Sequence, residues 1–310
     1  MTTTADATTP KIEPQSARRA LSESWRRRLP LLPALLFTIA LTQIPFVMSV
    51  YYSLTDWKVV PPSPREYVGL DNYRHLFSDH FFTDAVVVSL KLTVFPVIGA
   101  ILLGGAFAML LDRKFFGQGI VRTLLITPFL MMPVVVGLIW KNQMFHGLYG
   151  VLNWVIEKLG GNPVEFVSRY PTLSIIIVLI WQWTPFMMLI MLAGLQSQPS
   201  DVLEAAKVDG ATPFAIFRQL TVSHLRPYIE LGILLGTIYL IQVYDQIAVM
   251  TGGGPGSTNV PYYVFERSIG GGWDFGQASS YSIVVVLASI VIATISLRVL
   301  SQLLKGEEIA

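Results

Sequence analysis

Five polar or aromatic side chains lie inside long apolar stretches of the sequence, and together they have the chemistry to bind a hydroxyl-rich ligand. They form two groups: Gln182 with Trp183, and Gln242 with Tyr244 and Asp245. Aromatic faces stack on apolar ring surfaces, while amide and carboxylate groups hydrogen-bond hydroxyls, so the set suits a sugar-like molecule. The alternative is that these polar groups hydrogen-bond neighbouring helices, because an unpaired polar group in a membrane is costly. The sequence leaves both interpretations open.

Residue types that support catalysis are sparse. The chain has no cysteine, which excludes a disulfide, a thiol nucleophile and a cysteine-based metal site. Its four histidines are scattered and show no metal-ligand spacing. The glycine-rich run at 252–258 lacks the lysine of a Walker A phosphate loop, and no such motif occurs elsewhere. We therefore predict no catalytic residue, metal or cofactor in this chain, and any ATP hydrolysis is expected in a partner.

A mildly charged segment, residues 197–227, separates two apolar stretches and has the pattern of two short helices joined by a glycine turn. Ser200 is expected to cap the first helix. Gly210 is expected to end it in a left-handed conformation. Thr212-Pro213 has the pattern of a new N-cap followed by proline at the first helical position, and Pro227 is expected to end the second helix.

This segment strongly resembles the EAA loop of the membrane subunits of ATP-binding-cassette importers, the binding-protein-dependent transport inner membrane components. Residues 204–211 keep the family pattern EAA-x-x-DGA, whereas Val222-Ser223 replaces the family's Leu-Pro. We call residues 197–227 the EAA loop. In the family this loop forms a coupling helix that seats in a groove of the ATPase subunit. The resemblance implies ATPase-coupling roles for Glu204, Ala205, Ala206, Asp209, Gly210, Ala211, Phe214 and Phe217.

Further motifs resemble the carbohydrate branch of this family: a W-x-x-x-PF pattern at 181–186, a GLQ-x-x-P pattern at 194–199 and a GGGP run at 252–255. The resemblance covers roughly residues 29–303. It implies one transmembrane subunit of an importer for a sugar or polyol. The expected partners are two ATPase subunits that bind ATP and Mg, a second and usually different permease, and an extracytoplasmic solute-binding protein. The polar residues inside the apolar stretches could also face that second permease.

Composition predicts a membrane protein. Hydrophobic residues make up 53% of the chain and charged residues only 14%, against about 25% charged in soluble domains. A membrane-spanning helix needs about 20 mostly apolar residues. We therefore predict an all-α membrane protein with six transmembrane helices, and the resemblance implies the type I importer permease fold. The six candidate spans are 30–54, 85–111, 122–141, 172–195, 229–250 and 279–303.

Basic residues predict the orientation of these spans. With a cytoplasmic N-terminus, 14 lysines and arginines lie on the inner side and 7 on the outer side, which is the usual bias. Both termini and the EAA loop are then cytoplasmic. The resemblance implies that the protein lies in the cell membrane of a prokaryote. We expect a disordered tail at 1–28, a permease domain at 29–303 and a second tail at 304–310. The net charge of +2 gives no indication of nucleic-acid binding.

An alternative function is a stand-alone secondary transporter or channel that works without an ATPase. That function would make Gly210 and Phe217 dispensable for ATPase binding, whereas the importer function requires them. The sequence leaves the exact substrate open, and also whether this subunit or its partner permease holds it.

Overall fold

The structure, a computed structural model, describes residues 29–305 of the chain. The tail predicted at 1–28 lies outside the described residues, as do residues 306–310 of the tail predicted at 304–310. Leu304 and Lys305 instead belong to the last helix. The chain divides into two compact units, Met1–Tyr51 and Tyr52–Ala310.

Helices dominate the described residues. In chain order they are α1 (Leu32–Ser53), α2 (Asp71–Ser78), α3 (His80–Leu111), α4 (Gln118–Leu130), α5 (Pro133–Ile139), α6 (Val151–Lys158), α7 (Phe166–Arg169), α8 (Pro171–Gln196), α9 (Ser200–Val208), α10 (Pro213–Ala215), α11 (Val222–Leu240), α12 (Asp245–Met250), α13 (Val260–Ser268) and α14 (Phe275–Lys305). A short 3-10 turn, Leu29–Leu31, precedes α1. Two π-helical segments, π1 (Trp140–Met144) and π2 (Ile216–Thr221), continue α5 and α10. Strands β1 (Thr55–Asp56) and β2 (Glu66–Tyr67) form a short antiparallel pair.

Four helices in the described part are long and apolar enough to cross a membrane: α1, α3, α8 and α14. They correspond to the spans predicted at 30–54, 85–111, 172–195 and 279–303. The helices α4 and α5 with π1 qualify together as a fifth candidate, although they are bent by 100°. The described residues thus contain four or five candidate spans, and the count of six stays a prediction.

The third predicted span, 122–141, is not a continuous helix. Its break lies at Met131 and Met132, both extended, directly before Pro133. Proline disfavours helical geometry in the preceding residue and is well suited to the first position of a new helix. The sequence therefore contained a signal for this break that the hydrophobic run concealed.

The fifth predicted span, 229–250, is also interrupted. The helix α11 ends at Leu240 and α12 begins at Asp245. No proline or glycine marks this break. The Asn259 side chain, 1% exposed, donates to the Val243 carbonyl at 2.5 Å. A distant residue thus satisfies a backbone group that the break leaves without a helical partner, as a membrane interior requires.

The core is built where α3, α8 and α11 pack together through small residues. A Cβ atom at Gly104 of α3 would lie 2.7 Å from the backbone nitrogen of Met188 in α8. Glycine is therefore required for the backbones to approach this closely. The tightly packed side chains around this contact include Leu111, Met188 and Leu192, each at most 2% exposed. This core holds α8 and α11, the two helices that enter and leave the EAA loop.

Candidate functional site

Gly210 forms the turn of the EAA loop with a φ of +80°, a left-handed conformation that other residues resist. Its amide donates to the Lys207 carbonyl at 3.1 Å, and the Ala211 amide donates to the Ala206 carbonyl at 2.9 Å. These two bonds form a Schellman motif, which satisfies carbonyls left free at the end of α9. The predicted left-handed turn is therefore present.

The second half of the EAA loop begins as expected, at Thr212. The Thr212 hydroxyl accepts a hydrogen bond from the Ala215 amide at 3.3 Å, and Pro213 occupies the first helical position. After this start the chain continues through α10, π2 and α11 without a stop.

Two of the expected helix ends are wrong. Pro199, not Ser200, is the extended residue before α9, and the Ser200 hydroxyl lies 3.3 Å from Asp201 Oδ1. Pro227 does not end a helix, because α11 runs through it to Leu240. A proline inside a helix cannot donate to the carbonyl four residues earlier, which here belongs to Ser223. Ser223 is an exposed residue, so its carbonyl is accessible to another donor.

The EAA loop exposes apolar side chains. Every residue of α9, α10 and π2 keeps part of its surface accessible. Phe214 is 70% exposed and Phe217 37%. Glu204 and Asp209, also predicted for coupling, are exposed on the same loop. Exposed apolar groups rimmed by charges are typical of a protein-docking surface.

The predicted substrate-pathway residues come together around one cavity of about 290 Å³, which we call the central cavity. It lies where the two helix breaks meet α8. All five predicted residues line it, and six further residues complete the wall. The lining residues are Phe129, Met131, Pro133, Gln182, Trp183, Tyr239, Gln242, Val243, Tyr244, Asp245 and Gln246.

Gln182 connects the two breaks across the cavity wall. Its Oε1 accepts from Gln246 Nε2 at 2.7 Å, and its Nε2 donates to the Met131 carbonyl at 3.4 Å. Gln182 is 4% exposed and Gln246 is 3% exposed. Both ends of the Gln182 amide are thus used between helices, which agrees with the alternative interpretation for this residue. Gln246 was not among the predicted site residues.

The other four predicted residues present ring and polar groups at the cavity. Trp183 lies with its ring centroid 5.6 Å from Phe129 and 5.6 Å from Tyr239. Tyr244 packs against α13, with its ring 5.4 Å from that of Phe265. The broken backbone and these side chains together resemble the cavity-lining helix breaks of membrane transporters.

Within the described residues, the side chains of Gln242 and Asp245 at the cavity are not engaged in ion pairs. Gln242 lies in the break after α11, and its Nε2 donates to the Ile238 carbonyl near the end of that helix at 3.3 Å, which leaves its side-chain oxygen for another donor. Within residues 29–305, no lysine or arginine forms a salt bridge with Asp245, which is half-buried. A partly buried carboxylate and an amide oxygen thus line the central cavity.

A separate polar cluster lies at the start of α3. Asp79 accepts hydrogen bonds from the hydroxyls of Tyr263 and Tyr281, the latter at 3.0 Å, and pairs with Arg267 at 3.4 Å. Burial alone would raise the pKa of Asp79, but these hydrogen bonds and the Arg267 charge outweigh burial and hold the pKa below its ordinary value. Burial and the bond to Asp79 raise the pKa of Tyr263 to about 12. The cluster joins α3, α13 and α14.

Across the described residues, no group of histidine and acidic side chains has the arrangement of a metal site.

Residues 86–305 match a family described as the binding-protein-dependent transport system inner membrane component. The match covers more than half of the chain. The chain belongs to this family. It is therefore an ABC importer permease subunit, and the interpretation as a stand-alone carrier is set aside.

Individual relatives agree with this assignment. The probable ABC transporter permease protein y4oQ of Sinorhizobium fredii is 36% identical, with 94% of this chain and 96% of that protein aligned. The trehalose/maltose transport system permease protein MalF of Thermococcus litoralis is 32% identical over 85% of this chain and 90% of its own. A chain of a bacterial ABC transporter involved in the import of the acidic polysaccharide alginate has a TM-score of 0.79 at 18% identity, covering 93% of this chain and 99% of that one. The predicted permease fold is thus confirmed.

Proposed function

We propose that this permease translocates a sugar or polyol, with energy from two ATPase subunits that bind ATP and Mg. An extracytoplasmic solute-binding protein would deliver the substrate, and a second permease, different from this chain, would complete the membrane channel. The observation that carries the proposal is the EAA loop, whose left-handed Gly210 turn presents exposed apolar side chains. The trehalose/maltose relative supports the substrate class.

The chemistry of the central cavity supports a hydroxylated ligand. Trp183 and Tyr239 offer ring faces, while Gln242 and Asp245 offer hydrogen-bond acceptors. A sugar has both apolar ring faces and hydroxyl donors, so it can use both kinds of group at once. Among residues 29–305, no lysine or arginine lines the cavity, which favours a neutral substrate over a phosphorylated one.

The EAA loop would dock on the ATPase with Phe214 and Phe217 as the apolar contacts. Glu204, Ala205, Ala206, Asp209 and Ala211 frame the Gly210 turn and complete this coupling surface. We place the loop and both chain termini in the cytoplasm, since the lysine and arginine bias favours that side. The permease domain would then occupy residues 29–303, between the tails at 1–28 and 304–310.

In the transport cycle, ATP binding would close the ATPase pair and move the EAA loop. The spans would switch from inward-facing to outward-facing while the loaded binding protein docks. Such a switch needs ligands that bind one state more tightly than the other, and ATP and the loaded binding protein would fill that role.

Co-purification tests this function directly. The tagged chain is extracted from its native membrane in mild detergent, and its partners are identified by mass spectrometry. We expect an ATPase and a second permease. A Gly210→Pro variant should lose the ATPase and keep the second permease, because proline fixes φ near −65° and cannot adopt the left-handed turn. Recovery of the wild-type chain alone, even after cross-linking, would contradict the proposed function.

A matched control is Gly117→Pro, at a second left-handed glycine that lies outside the EAA loop. Its φ is +81°, so the backbone conflict is the same. This variant should keep the ATPase. Loss of the ATPase in both variants would indicate general misfolding and not a specific role of Gly210.

A further inference from the structure

The two ends of the EAA loop are hydrogen-bonded to each other through four residues that we call the Ser197 cluster: Gly194, Ser197, His224 and Tyr228. Ser197 Oγ lies 3.0 Å from His224 Nε2 and 2.9 Å from the Tyr228 hydroxyl. The same Oγ donates to the Gly194 carbonyl at 2.8 Å, and His224 Nε2 lies 3.1 Å from that carbonyl. Ser197 and His224 are 27 residues apart in sequence, so these bonds close the loop at its base.

The Gly194 carbonyl determines the direction of every hydrogen bond in the Ser197 cluster. A carbonyl oxygen only accepts, so the bond from His224 requires a hydrogen on Nε2. Ser197 uses its one hydrogen on the same carbonyl, so Tyr228 donates its own hydrogen to Ser197. The carbonyl belongs to the last turn of α8, where it also accepts from the Ser197 amide at 3.2 Å and lacks the usual partner four residues further on. One arrangement thus satisfies all the groups and joins the end of α8 to the start of α11.

Tight packing begins at the same place. A Cβ atom at Gly194 would lie 2.7 Å from Tyr228 Cδ2 and 2.8 Å from Leu225 Cδ2. Any side chain at Gly194 would collide with these two residues, so the close approach requires glycine. The helices α8 and α11 are therefore in close contact where they leave the EAA loop.

Close contact continues from the Ser197 cluster towards the central cavity. Met187 of α8 fits against two glycines of α11: a Cβ at Gly232 would lie 3.1 Å from its Sδ, and one at Gly236 2.6 Å from its Cε. One turn further, the rings of Trp183 and Tyr239 meet at the cavity wall. Eleven residues of α8, about 16 Å of helix, separate Gly194 from Trp183. Both helices are thus in contact along the whole distance from the loop to the cavity.

We propose that Ser197, His224 and Tyr228 are positioning residues of the transport cycle, which make α8 and α11 follow the EAA loop as one unit. Without these bonds, the packing of α8 against α11 would remain, but the ends of the loop would lose their hydrogen bonds to each other, and its motion could be absorbed in the link at either end. With them, a displacement of the loop reaches both helices that line the central cavity. The inference rests on the proposed function, because it requires an ATPase that moves the loop.

The absence of native cysteine makes a direct test possible. A Tyr239→Cys reporter places one thiol of this chain at the central cavity, where Tyr239 is 58% exposed. The complete complex is treated with a charged methanethiosulfonate, without nucleotide and with MgATP plus orthovanadate. The labelling rate of this chain is read by mass spectrometry. With the Ser197 cluster intact, nucleotide should change that rate.

Four substitutions in the reporter background separate the cluster from its surroundings. Ser197→Ala and Tyr228→Phe each remove hydroxyl bonds and should reduce the nucleotide-dependent change about fivefold, the factor that corresponds to one lost hydrogen bond. Ser197→Thr keeps the hydroxyl and should restore the full change. Ser223→Ala, an exposed hydroxyl next to His224 and outside the cluster, is the matched control and should behave like the unmodified reporter.

The inference is overturned if Ser197→Ala and Tyr228→Phe respond to nucleotide like the unmodified reporter. It is also overturned if they lose the ATPase from the complex, because the cluster would then act on docking and not on transmission. Failure of the proposed function would look different: the reporter complex with an intact cluster would itself contain no ATPase.

Discussion

Asp79 is a single residue that connects three helices, because side chains of α13 and α14 bind its carboxylate at the start of α3. Its pKa lies below the ordinary value. A carboxylate with a lowered folded-state pKa contributes stability that is complete above the unfolded pKa and is lost as pH falls through the folded one. The contribution of Asp79 should therefore be present at neutral pH and disappear only in acid.

We predict that Asp79→Asn lowers the free energy of unfolding by about 2 kcal/mol at neutral pH, as expected for lost hydrogen bonds to a charged acceptor. Asparagine retains the ability to cap α3, so the substitution isolates the charge. Thermal unfolding in detergent should show a gap between wild type and variant that narrows as pH falls below the ordinary pKa of 3.8. A gap that stays constant into acid would contradict the assignment.

The control for this residue is Asp71→Asn. Asp71 pairs with Arg74 at 3.0 Å, but both side chains are largely exposed. Exposed ion pairs contribute about 0–1 kcal/mol. The control should therefore unfold at nearly the wild-type temperature.

At the scale of elements, the crossing of α3 and α8 depends on two adjacent glycines with different surroundings. A Cβ at Gly104 would meet the backbone of α8, with Met188 N at 2.7 Å. A Cβ at Gly105 would meet only the flexible end of Met191, with Cε at 3.0 Å. A backbone cannot move aside without displacing its helix, whereas a methionine end can rotate.

We predict that Gly104→Ala destabilises the protein by about 2 kcal/mol, in the range for overpacking a tight core. Gly105→Ala should cost much less, because Met191 can adjust. The comparison of the two thermal unfolding temperatures is the measurement. Equal losses would mean that both positions are crowded to the same degree, and would contradict a special role for the close approach of the α3 and α8 backbones at Gly104. Helix propensity cannot cause such a loss, because alanine favours a helix more than glycine does.

The elements differed in how much of them the sequence could predict. Long apolar runs with few charges predicted α1, α3, α8 and α14 correctly, because composition and length decide a membrane span. The break at Met131 had a signal, Pro133, hidden in an apolar run. The break at 241–244 had none nearby, since it depends on Asn259, sixteen residues further along the chain from Val243. Hydropathy reports only how apolar a segment is, so it cannot detect a break stabilised from a distance.

In the candidate site, too, local features could be predicted from the sequence, whereas features that depend on distant residues could not. The Gly210 turn was predictable because a left-handed residue and its cap are local features. Their polarity within apolar runs singled out Gln182 and Asp245, which line the same cavity, but their different hydrogen-bond partners could be seen only in the fold. The Gln182 amide is hydrogen-bonded to the Gln246 side chain and the Met131 carbonyl. Asp245, in contrast, is not paired with a basic residue within the described part of the chain.

At the scale of the whole molecule, the proposed function places ATP hydrolysis in partner subunits and the substrate path in the permease. The sequence has no Walker A phosphate loop, so under the proposed function ATP would bind to the partner subunits, and this chain would contribute the central cavity. A ligand shifts a two-state equilibrium only through a difference in affinity between the states. A residue that contacts the substrate should therefore change transport without changing assembly.

Two tryptophans of α8 allow this to be tested with one helix. Trp183 lines the central cavity, whereas Trp181 packs against Trp140 with ring centroids 5.6 Å apart and lines a different space. We predict that Trp183→Ala weakens transport affinity about tenfold, equivalent to about 1.4 kcal/mol of lost ring contact. The KM for uptake into vesicles would be measured with a radiolabelled sugar that the wild-type complex accepts. Trp181→Ala should lower the unfolding temperature and leave this KM unchanged, because its ring is part of the packing and not of the cavity. An equal rise in KM for both variants would place the substrate path elsewhere, since only a general loosening of α8 would affect both positions alike.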